Sequence, residues 1–450
     1  MTYGVVIFLN KLIKKIDEGN ANIGIIGLGY VGLPLAIEFS TKFNVIGYDV
    51  NETAVEKLLN GKSYIQDIPD SLIISQTGKS FHPTTNPEEL SKCDFIIICV
   101  PTPLTAENEP DLNYIKSACK TILQVLRKDQ FIILESTTYP GTTEEVVLPI
   151  LESSGLKVIE DFGLAYSPER IDPGNTKYNV SNTPKVVGGI NDECTDIASK
   201  LYGSIIEHIV PVQDARTAEA VKIVENIFRN VNIALVNELA LIFEKMKIDT
   251  WEVIDAAATK PYGFMPFYPG PGIGGHCIPL DPFYMSYKAK KYGFIPRFIE
   301  TSGEINNFMR IHAVNLIERG LKQVDKRVYG STVAVMGLAY KKDIADTRES
   351  PAEKIIEELV NLGVKVKVYD PHALSIKTRI GTFHSEESME SALNNSDCAV
   401  FVTDHTAFKE FNLQEAVKVM SSPVIVDCKN MFSNPVGLVY LGIGKSNRLD

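Results

Sequence analysis

Cys277 stands in the run Pro269-Gly270-Pro271-Gly272-Ile273-Gly274-Gly275-His276-Cys277-Ile278-Pro279-Leu280-Asp281, behind four glycines and ahead of a carboxylate. Glycine opens backbone angles closed to other residues and lets a ligand lie against the main chain. A loop thiol near cationic groups can hold its thiolate, the form that attacks an electrophile. Free cysteine is more often a buried packing residue, but a glycine run this dense does not build a regular buried element. The segment therefore predicts a reactive nucleophile.

A second pattern indicates what the thiol works beside. The apolar run Asn22 to Ile26 leads into Gly27-Leu28-Gly29-Tyr30-Val31-Gly32 and then into helical spacing through Leu35, Ala36 and Phe39; a second run, Asn44 to Tyr48, ends in Asp49. Strand, G-x-G-x-x-G turn, helix, strand and acid in this order form the dinucleotide fingerprint. Gly27 makes the tight turn, Gly29 admits a pyrophosphate, Gly32 lets helix and strand approach, and the helix N-terminus offers amide donors to phosphate. An acid at position 49 accepts a ribose 2'-hydroxyl and repels a 2'-phosphate, so the expected cofactor is NAD rather than NADP.

The elements that must position these groups alternate. Strand-like runs at Phe95 to Val100, Phe131 to Glu135, Lys157 to Glu160 and Lys185 to Gly188 interleave with helical stretches, which predicts a parallel sheet with helices on both faces. Ligands in such sheets sit beyond the carboxyl ends of the strands. The turns there, Val100-Pro101-Thr102-Pro103 and Ser136-Thr137-Thr138-Tyr139-Pro140-Gly141, are candidate cofactor contacts. From Asp214 to about Lys247 neither proline nor glycine interrupts a helical apolar pattern, which predicts a long spine between domains and a dimer surface. Lys222 and Asn226, four apart, share one face of it.

A further strand-turn-helix-strand begins at Thr332, with a Gly337-Leu338-Ala339 turn, basic residues Lys341, Lys342 and Arg348, and a second strand at Val364 to Asp370; strands at Ala399 to Thr403 and Val424 to Asp427 complete it. Basic residues in place of glycine amides suit a nucleotide other than NAD. The fold class is thus α/β: two Rossmann-like, doubly wound parallel-sheet domains joined by a long central helix. The expected divisions are 1–212 for NAD binding, 213–325 for the helical dimerisation region with the cysteine loop, and 326–450 for the second nucleotide domain.

Composition bounds the partners. A chain of 450 residues exceeds one core, and 44% hydrophobic with 22% charged residues is ordinary for a globular protein. The net charge of -11 argues against nucleic acid or an anionic membrane as main partner. Seven cysteines show no C-x-x-C pair, and the seven histidines show no H-x-x-H. No metal is therefore expected, and a reducing, cytoplasmic compartment is. The run Val5 to Leu9 is too short to span a membrane; with Leu12, Ile13 and Ile16 it predicts an amphipathic helix packed on the first domain.

With the N-terminal fingerprint, the P-G-x-G-x-G-G-x-C loop and the segment Lys341-Lys342-Asp343-Ile344-Ala345-Asp346-Thr347-Arg348-Glu349-Ser350-Pro351, nearly the whole chain resembles the UDP-glucose/GDP-mannose dehydrogenase family. That resemblance implies oxidation of the C6 alcohol of a nucleotide sugar to a carboxylate with successive reduction of two NAD, by a homodimer built on the central helix. Lys260 to Gly270 leading into the cysteine loop, and Ser167-Pro168-Glu169-Arg170-Ile171-Asp172-Pro173-Gly174, are most similar to the UDP-N-acetylglucosamine 6-dehydrogenase branch, whose product serves surface polysaccharide. Enzymes acting on UDP-glucose resemble P-E-F-L-x-E-G there. This chain has Pro173 at their second carboxylate, with Asp172 out of register, and the departure favours an acetamido sugar.

The resemblance also implies roles. Cys277 captures the aldehyde as a thiohemiacetal and later carries a thioester; Lys222 and Asn226 hold the oxyanion; Asp281 orients Lys222 or water and takes up protons; Thr137 and Glu169 position the hydrolytic water. Substrate contacts fall on Glu169, Arg170, Lys222, Asn226, Tyr268, Gly272 and Lys341. Cofactor contacts fall on the residues from Gly27 to Gly32, on Asp49, Pro101, Thr102 and Thr137, and on Arg348. The same chemistry on UDP-N-acetylmannosamine or UDP-glucose stays open, as does a non-catalytic NAD-binding regulatory protein. A binding module, however, needs none of Cys277, Lys222 and Asp281, and a two-electron hydroxy-acid dehydrogenase needs no thiol.

Overall fold

A strand buried on both faces reads as a continuous apolar run, and the first unit is built on several. β1 (Asn22–Ile26), β2 (Asn44–Tyr48), β3 (Phe81–Thr84), β4 (Phe95–Ile98), β5 (Gln130–Leu134), β6 (Phe162–Tyr166), β7 (Lys185–Gly189) and β8 (Ile209–Pro211) form one sheet in the order β3-β2-β1-β4-β5-β6-β7-β8. The strand order reverses between β1 and β4, the crevice where open α/β sheets take ligands. Ile23, Ile25, Val45, Phe95, Ile97, Phe131 and Ile133 are buried in its core. The helix Tyr3–Asp17 lays Leu12 and Ile16 into the same core, and its Lys15 meets buried Asp94 at 2.6 Å. The structure is a computed structural model and describes residues 3–445 except 66, 67, 106, 108, 173, 174, 176, 276, 411 and 434–436; side chains are described from residue 10 onward and not at 415 and 416.

Two expectations for this sheet are corrected. The run Lys157 to Glu160 is not a strand: Ile159 has φ of 72°, outside the extended region, and the strand follows at Phe162–Tyr166. Gly163 interrupts that strand's apolar pattern for a packing reason, since a Cβ there would lie 2.2 Å from the Phe131 ring. Nor is the sheet wholly parallel, for β7 runs antiparallel to β6, pairing Ala165 with Gly189 and Tyr166 with Gly188. This direction carries the start of β7, at Lys185, to the end of the sheet where β4, β5 and β6 finish.

The chain divides into two compact units, residues 1–225 with 283–294 and residues 226–282 with 295–450. The second unit contains a five-stranded parallel sheet in the order β10-β9-β13-β14-β15, from β9 (Thr332–Met336), β10 (Lys365–Tyr369), β13 (Cys398–Phe401), β14 (Val424–Asp427) and β15 (Val439–Gly442). The hairpin of β11 (Ser375–Thr378) and β12 (Gly381–His384) is antiparallel. A helix over Arg297–Gln323 buries Ile317 and Leu321 in the core against β13, β14 and β15.

The long helix is Ala215–Met246, 32 residues, or about 48 Å at 1.5 Å per residue. Its residues 215–225 belong to the first unit and 226–246 to the second. Val224, Phe228, Leu235, Ile242 and Met246 remain exposed along it, at the four- and seven-residue spacing of a single stripe. Among the described residues no helix is long and apolar enough to cross a membrane.

Candidate active site

The three glycines of the first turn differ in what surrounds them. Gly27 has φ of +91°, and a Cβ there would lie 2.7 Å from the Cys99 carbonyl oxygen; a Cβ on Gly32 would lie 1.8 Å from the Gly27 oxygen. Both are places where only hydrogen fits. A Cβ on Gly29 would meet nothing within 4 Å, so open space stands over the middle glycine, as a pyrophosphate requires. The Asp49 carboxylate accepts the Leu28 amide at 2.7 Å and the Asn51 amide at 2.8 Å, which fixes its direction at the mouth of the turn. Tyr30, within the turn, is exposed. This open cradle and oriented acid fit NAD.

The two predicted strand-end turns are joined. Thr102 Oγ1 donates to the Thr137 carbonyl at 2.7 Å, and the Thr102 carbonyl accepts the Tyr284 hydroxyl. Pro101 lies exposed at the start of the same turn. Glu169 follows β6. Its Oε1 accepts the amides of Arg170 and Ile171 at 2.6 and 2.5 Å, and its Oε2 faces Lys185 Nζ at 3.7 Å. Arg170 turns to Glu225, with Nη2 to Oε1 at 2.5 Å, and to the Pro184 carbonyl at 2.6 Å. Pro173, the position that separates this chain from the UDP-glucose wording, lies outside the described residues.

Glu219, a buried acid that sequence reasoning passed over, holds the Thr137 turn to the long helix. It accepts the Gly141 amide, the Thr143 amide at 2.8 Å and the Thr143 hydroxyl at 2.7 Å. Burial pushes its carboxyl up to about 7, against the pull of the Thr143 and Gly141 donors. Lys222, 9% exposed, is three residues along the helix and Asn226 one turn further. Lys222 belongs to the first unit; Asn226, Cys277 and Asp281 belong to the second.

In the second unit asparagines of the long helix hold the cysteine loop. Asn226 Nδ2 donates to Asp281 Oδ2 at 2.5 Å, Asn230 Nδ2 to the Ile278 carbonyl at 3.1 Å, and the Gly270 amide donates to Asn237 Oδ1 at 2.9 Å. Positions 226, 230 and 237 share one helical face. The Cys277 carbonyl accepts the amides of Leu280 and Asp281, so the thiol precedes the first turn of the helix Asp281–Lys291. Six cysteines are buried and Cys277 is part-exposed. Burial pushes the thiols of Cys93 and Cys119 up to about 12 and that of Cys194 to about 11, which leaves them inert at neutral pH.

Close packing explains the loop's glycines. A Cβ on Gly272 would lie 2.9 Å from the Asn306 carbonyl, one on Gly274 2.6 Å from Tyr340 Cβ, and one on Gly275 3.0 Å from the Tyr340 ring. Arg310 donates to the Ile273 carbonyl at 3.0 Å. Tyr268 stacks on Trp251 at 5.2 Å and donates to Asp255 at 2.7 Å. Arg348 forms a bidentate pair with Asp346, and Lys341 is half-buried in the same segment. Asp370 accepts the Leu338 and Ala339 amides on Oδ2 and the His372 and Ala373 amides on Oδ1, twice the amides that Asp49 accepts, so the second sheet's acid is spent on its own turns. Asp343, His372 and His405 come within 4.8 Å of one another. Buried His405, however, accepts the Asp343 amide at Nδ1 and meets Asp370 through Nε2, each at 3.0 Å, and so serves as a structural strut.

A dinucleotide cradle and a glycine-bound, part-exposed cysteine on a two-unit α/β chain define a dehydrogenase that uses NAD. Profiles of the UDP-glucose/GDP-mannose dehydrogenase family match its NAD binding domain to residues 21–206, its central domain to 216–308 and its UDP binding domain to 334–434. The chain belongs to this family, whose members are NAD-dependent dehydrogenases of nucleotide sugars. It is 40% identical to a UDP-N-acetyl-D-glucosamine 6-dehydrogenase of Pseudomonas aeruginosa over 78% of this chain and 82% of the relative. It is 35% identical to a UDP-N-acetyl-D-mannosamine dehydrogenase of Pyrococcus horikoshii over 94% and 99%. A solved structure of UDP-D-ManNAc dehydrogenase from Pyrococcus horikoshii superposes with a TM-score of 0.88 at 34% identity, covering 94% of this chain and 99% of that one.

Proposed function

We propose that the enzyme oxidises the C6 alcohol of UDP-N-acetylglucosamine to the uronate through covalent intermediates on Cys277. The observation that carries this reading is the part-exposed thiol, set one turn before Asp281 in a loop tied to the long helix by Asn230 and, through Asp281, by Asn226. The Gly27 to Gly32 turn would hold NAD, which would supply the hydride acceptor for the two oxidations. Cys277 adds as thiolate to the C6 aldehyde, and after the second oxidation it carries the acyl group as a thioester. Lys222 and Asn226 donate to the oxygen that bears negative charge at each stage. Asp281, hydrogen-bonded to Asn226, takes up protons. Thr137 and Glu169 orient the water that releases the acid.

On this reading Lys341 contacts the UDP, Arg170, Tyr268 and Gly272 line the sugar side, and Pro101, Thr102 and Arg348 approach NAD. The exposed stripe of Phe228, Leu235, Ile242 and Met246 suits a homodimer through the long helix, and a free-thiol nucleophile suits the cytoplasm. The acetamido sugar is favoured by Pro173 and by the named relatives. UDP-N-acetylmannosamine is the second reading, carried by the name of the Pyrococcus relative. Steady-state NADH formation with UDP-N-acetylglucosamine, UDP-N-acetylmannosamine, UDP-glucose and GDP-mannose tests both. The expected result is a kcat/KM for UDP-N-acetylglucosamine at least about a hundredfold above that for UDP-glucose. Equal efficiency on those two returns the enzyme to the UDP-glucose branch, and a preference for the mannosamine sugar selects the second reading.

A further inference from the structure

The reversed direction of β7 has a chemical consequence. Ligands gather at the carboxyl ends of the parallel strands, and an antiparallel β7 delivers its first residue, Lys185, to that end beside Glu169, where a parallel strand would have delivered Gly189. The Ser167 hydroxyl, which donates to the Val186 carbonyl at 2.8 Å, fixes the register. Lys185 is 5% exposed and contacts Glu135, which is fully buried and receives the Tyr202 hydroxyl at 2.5 Å. Glu135 stands two residues before Thr137. One buried lysine thus joins the segment bearing Thr137 to the segment bearing Glu169.

Such a pair is an expensive way to hold a fold, because well-packed apolar residues of similar volume do as well or better. Its geometry toward Glu169 is specific. Oε1 of Glu169 is taken by two amides of its own turn, whereas Oε2 faces the ammonium at 3.7 Å, a Coulombic distance too long for a hydrogen bond. Oε2 is therefore held in direction and charge while its lone pairs can still accept a water proton. Burial pulls Lys185 down, but Glu135 and Glu169 outweigh it and hold the lysine above its ordinary value, so it is charged throughout the working range. Burial pushes Glu135 up to about 7. The groups facing this cluster are Cys99 at the end of β4, Glu135 after β5, Glu169 after β6, Lys185 on β7 and Tyr202 on the helix Asp192–Tyr202.

We propose that Lys185, backed by Glu135, is a positioning residue for Glu169 in hydrolysis of the Cys277 thioester. The inference rests on the reading that Glu169 orients the hydrolytic water. In that step the water oxygen bonds to the acyl carbon and the carbon–sulfur bond breaks, its electron pair returning to Cys277 as thiolate. The water proton passes to Glu169 Oε2 and then to solvent. No electrons leave, so both hydride transfers precede the step that Lys185 serves.

The test is a stopped-flow and acid-quench comparison of the full-length wild type with Lys185→Met, Lys185→Arg, Glu135→Gln and Glu169→Gln. The substrate is UDP-N-acetylglucosamine, or whichever nucleotide sugar of the panel the wild type turns over. Lys185→Met is expected to release a burst of two NADH per site, then turn over at least about tenfold more slowly than wild type, with an acyl adduct on Cys277 seen by intact mass. Lys185→Arg should recover most of the steady rate. Glu135→Gln, which weakens the hold on the lysine, should also keep the two-NADH burst and slow only the steady phase, and it carries the test if Lys185→Met does not fold. Wild-type turnover in Lys185→Met, or equal loss of burst and steady rate in both variants, overturns the proposal. Failure of the underlying reading is separately visible: Glu169→Gln then gives neither burst nor adduct.

Discussion

Two substitutions in one turn should separate cofactor binding from folding. In Gly29→Ala the new methyl enters open space, with no protein atom within 4 Å and no left-handed φ to strain. Stability should hold or rise by about 0.4–1 kcal/mol, from the loss of unfolded-chain entropy. The same methyl occupies the approach of the pyrophosphate, and losing one hydrogen bond to a charged group costs about 1.5–3 kcal/mol, so Kd for NAD should rise roughly ten- to hundredfold. In Gly32→Ala the methyl lies 1.8 Å from the Gly27 carbonyl oxygen. The helix Gly32–Ser40 must then move, drawing Leu33, Leu35 and Ala36 from the core. Overpacking of that kind costs about 3 kcal/mol, or roughly 6–12 °C in Tm for a domain of this size. Titration calorimetry with NAD and thermal melts of the two variants form the assay. A Gly29→Ala protein that binds NAD as tightly as wild type, or a Gly32→Ala protein that melts with it, refutes the reasoning.

Asp49→Ala should erode the preference for NAD over NADP, measured as the ratio of kcat/KM values, and should also loosen the turn whose Leu28 amide the acid accepts; a wild type equally active with both cofactors contradicts the assignment. Lys222→Ala should lower kcat by about a hundredfold to a thousandfold with little change in substrate Kd, and a defect confined to KM would show that the lysine only binds. Glu219 has a folded pKa raised to about 7 by burial from an ordinary 4.5, so its contribution is complete below 4.5 and is lost as pH rises to about 7. Relative to wild type, Glu219→Gln should gain about 3 kcal/mol between pH 5 and 8, at about 1.4 kcal/mol per unit, read from denaturant melts at the two pH values; a pH-independent difference argues against the shift.

What was legible in the sequence is what short-range chemistry determines. β1 and β2 begin and end where the apolar runs do, and the long helix spans the stretch that lacks glycine and proline. Those signals lie within a few residues of one another. The strand Phe162–Tyr166 was misplaced because the run Lys157 to Glu160 offers a similar local pattern a few residues earlier, while the pairing with β5 that selects Phe162–Tyr166 lies far off in sequence. The direction of β7, and with it the Lys185–Glu135 contact, depends on pairing across the sheet that no local pattern encodes. Lys222 and Asn226 were legible as a shared helical face. Asn230 and Asn237 continue that face and could have been found by asking why an uninterrupted apolar helix carries three asparagines at this spacing.

Covalent catalysis is tested most directly by acid quench of the full-length enzyme during turnover of UDP-N-acetylglucosamine, comparing wild type with Cys277→Ser. The wild type should give two NADH per uronate and an acyl mass on the peptide containing Cys277. Cys277→Ser should give neither adduct nor uronate, with NAD and UDP-sugar affinities within about threefold of wild type, because serine keeps the size and lacks a nucleophile ionised near neutral pH. Uronate formed by Cys277→Ser at the wild-type rate would contradict covalent catalysis by this thiol.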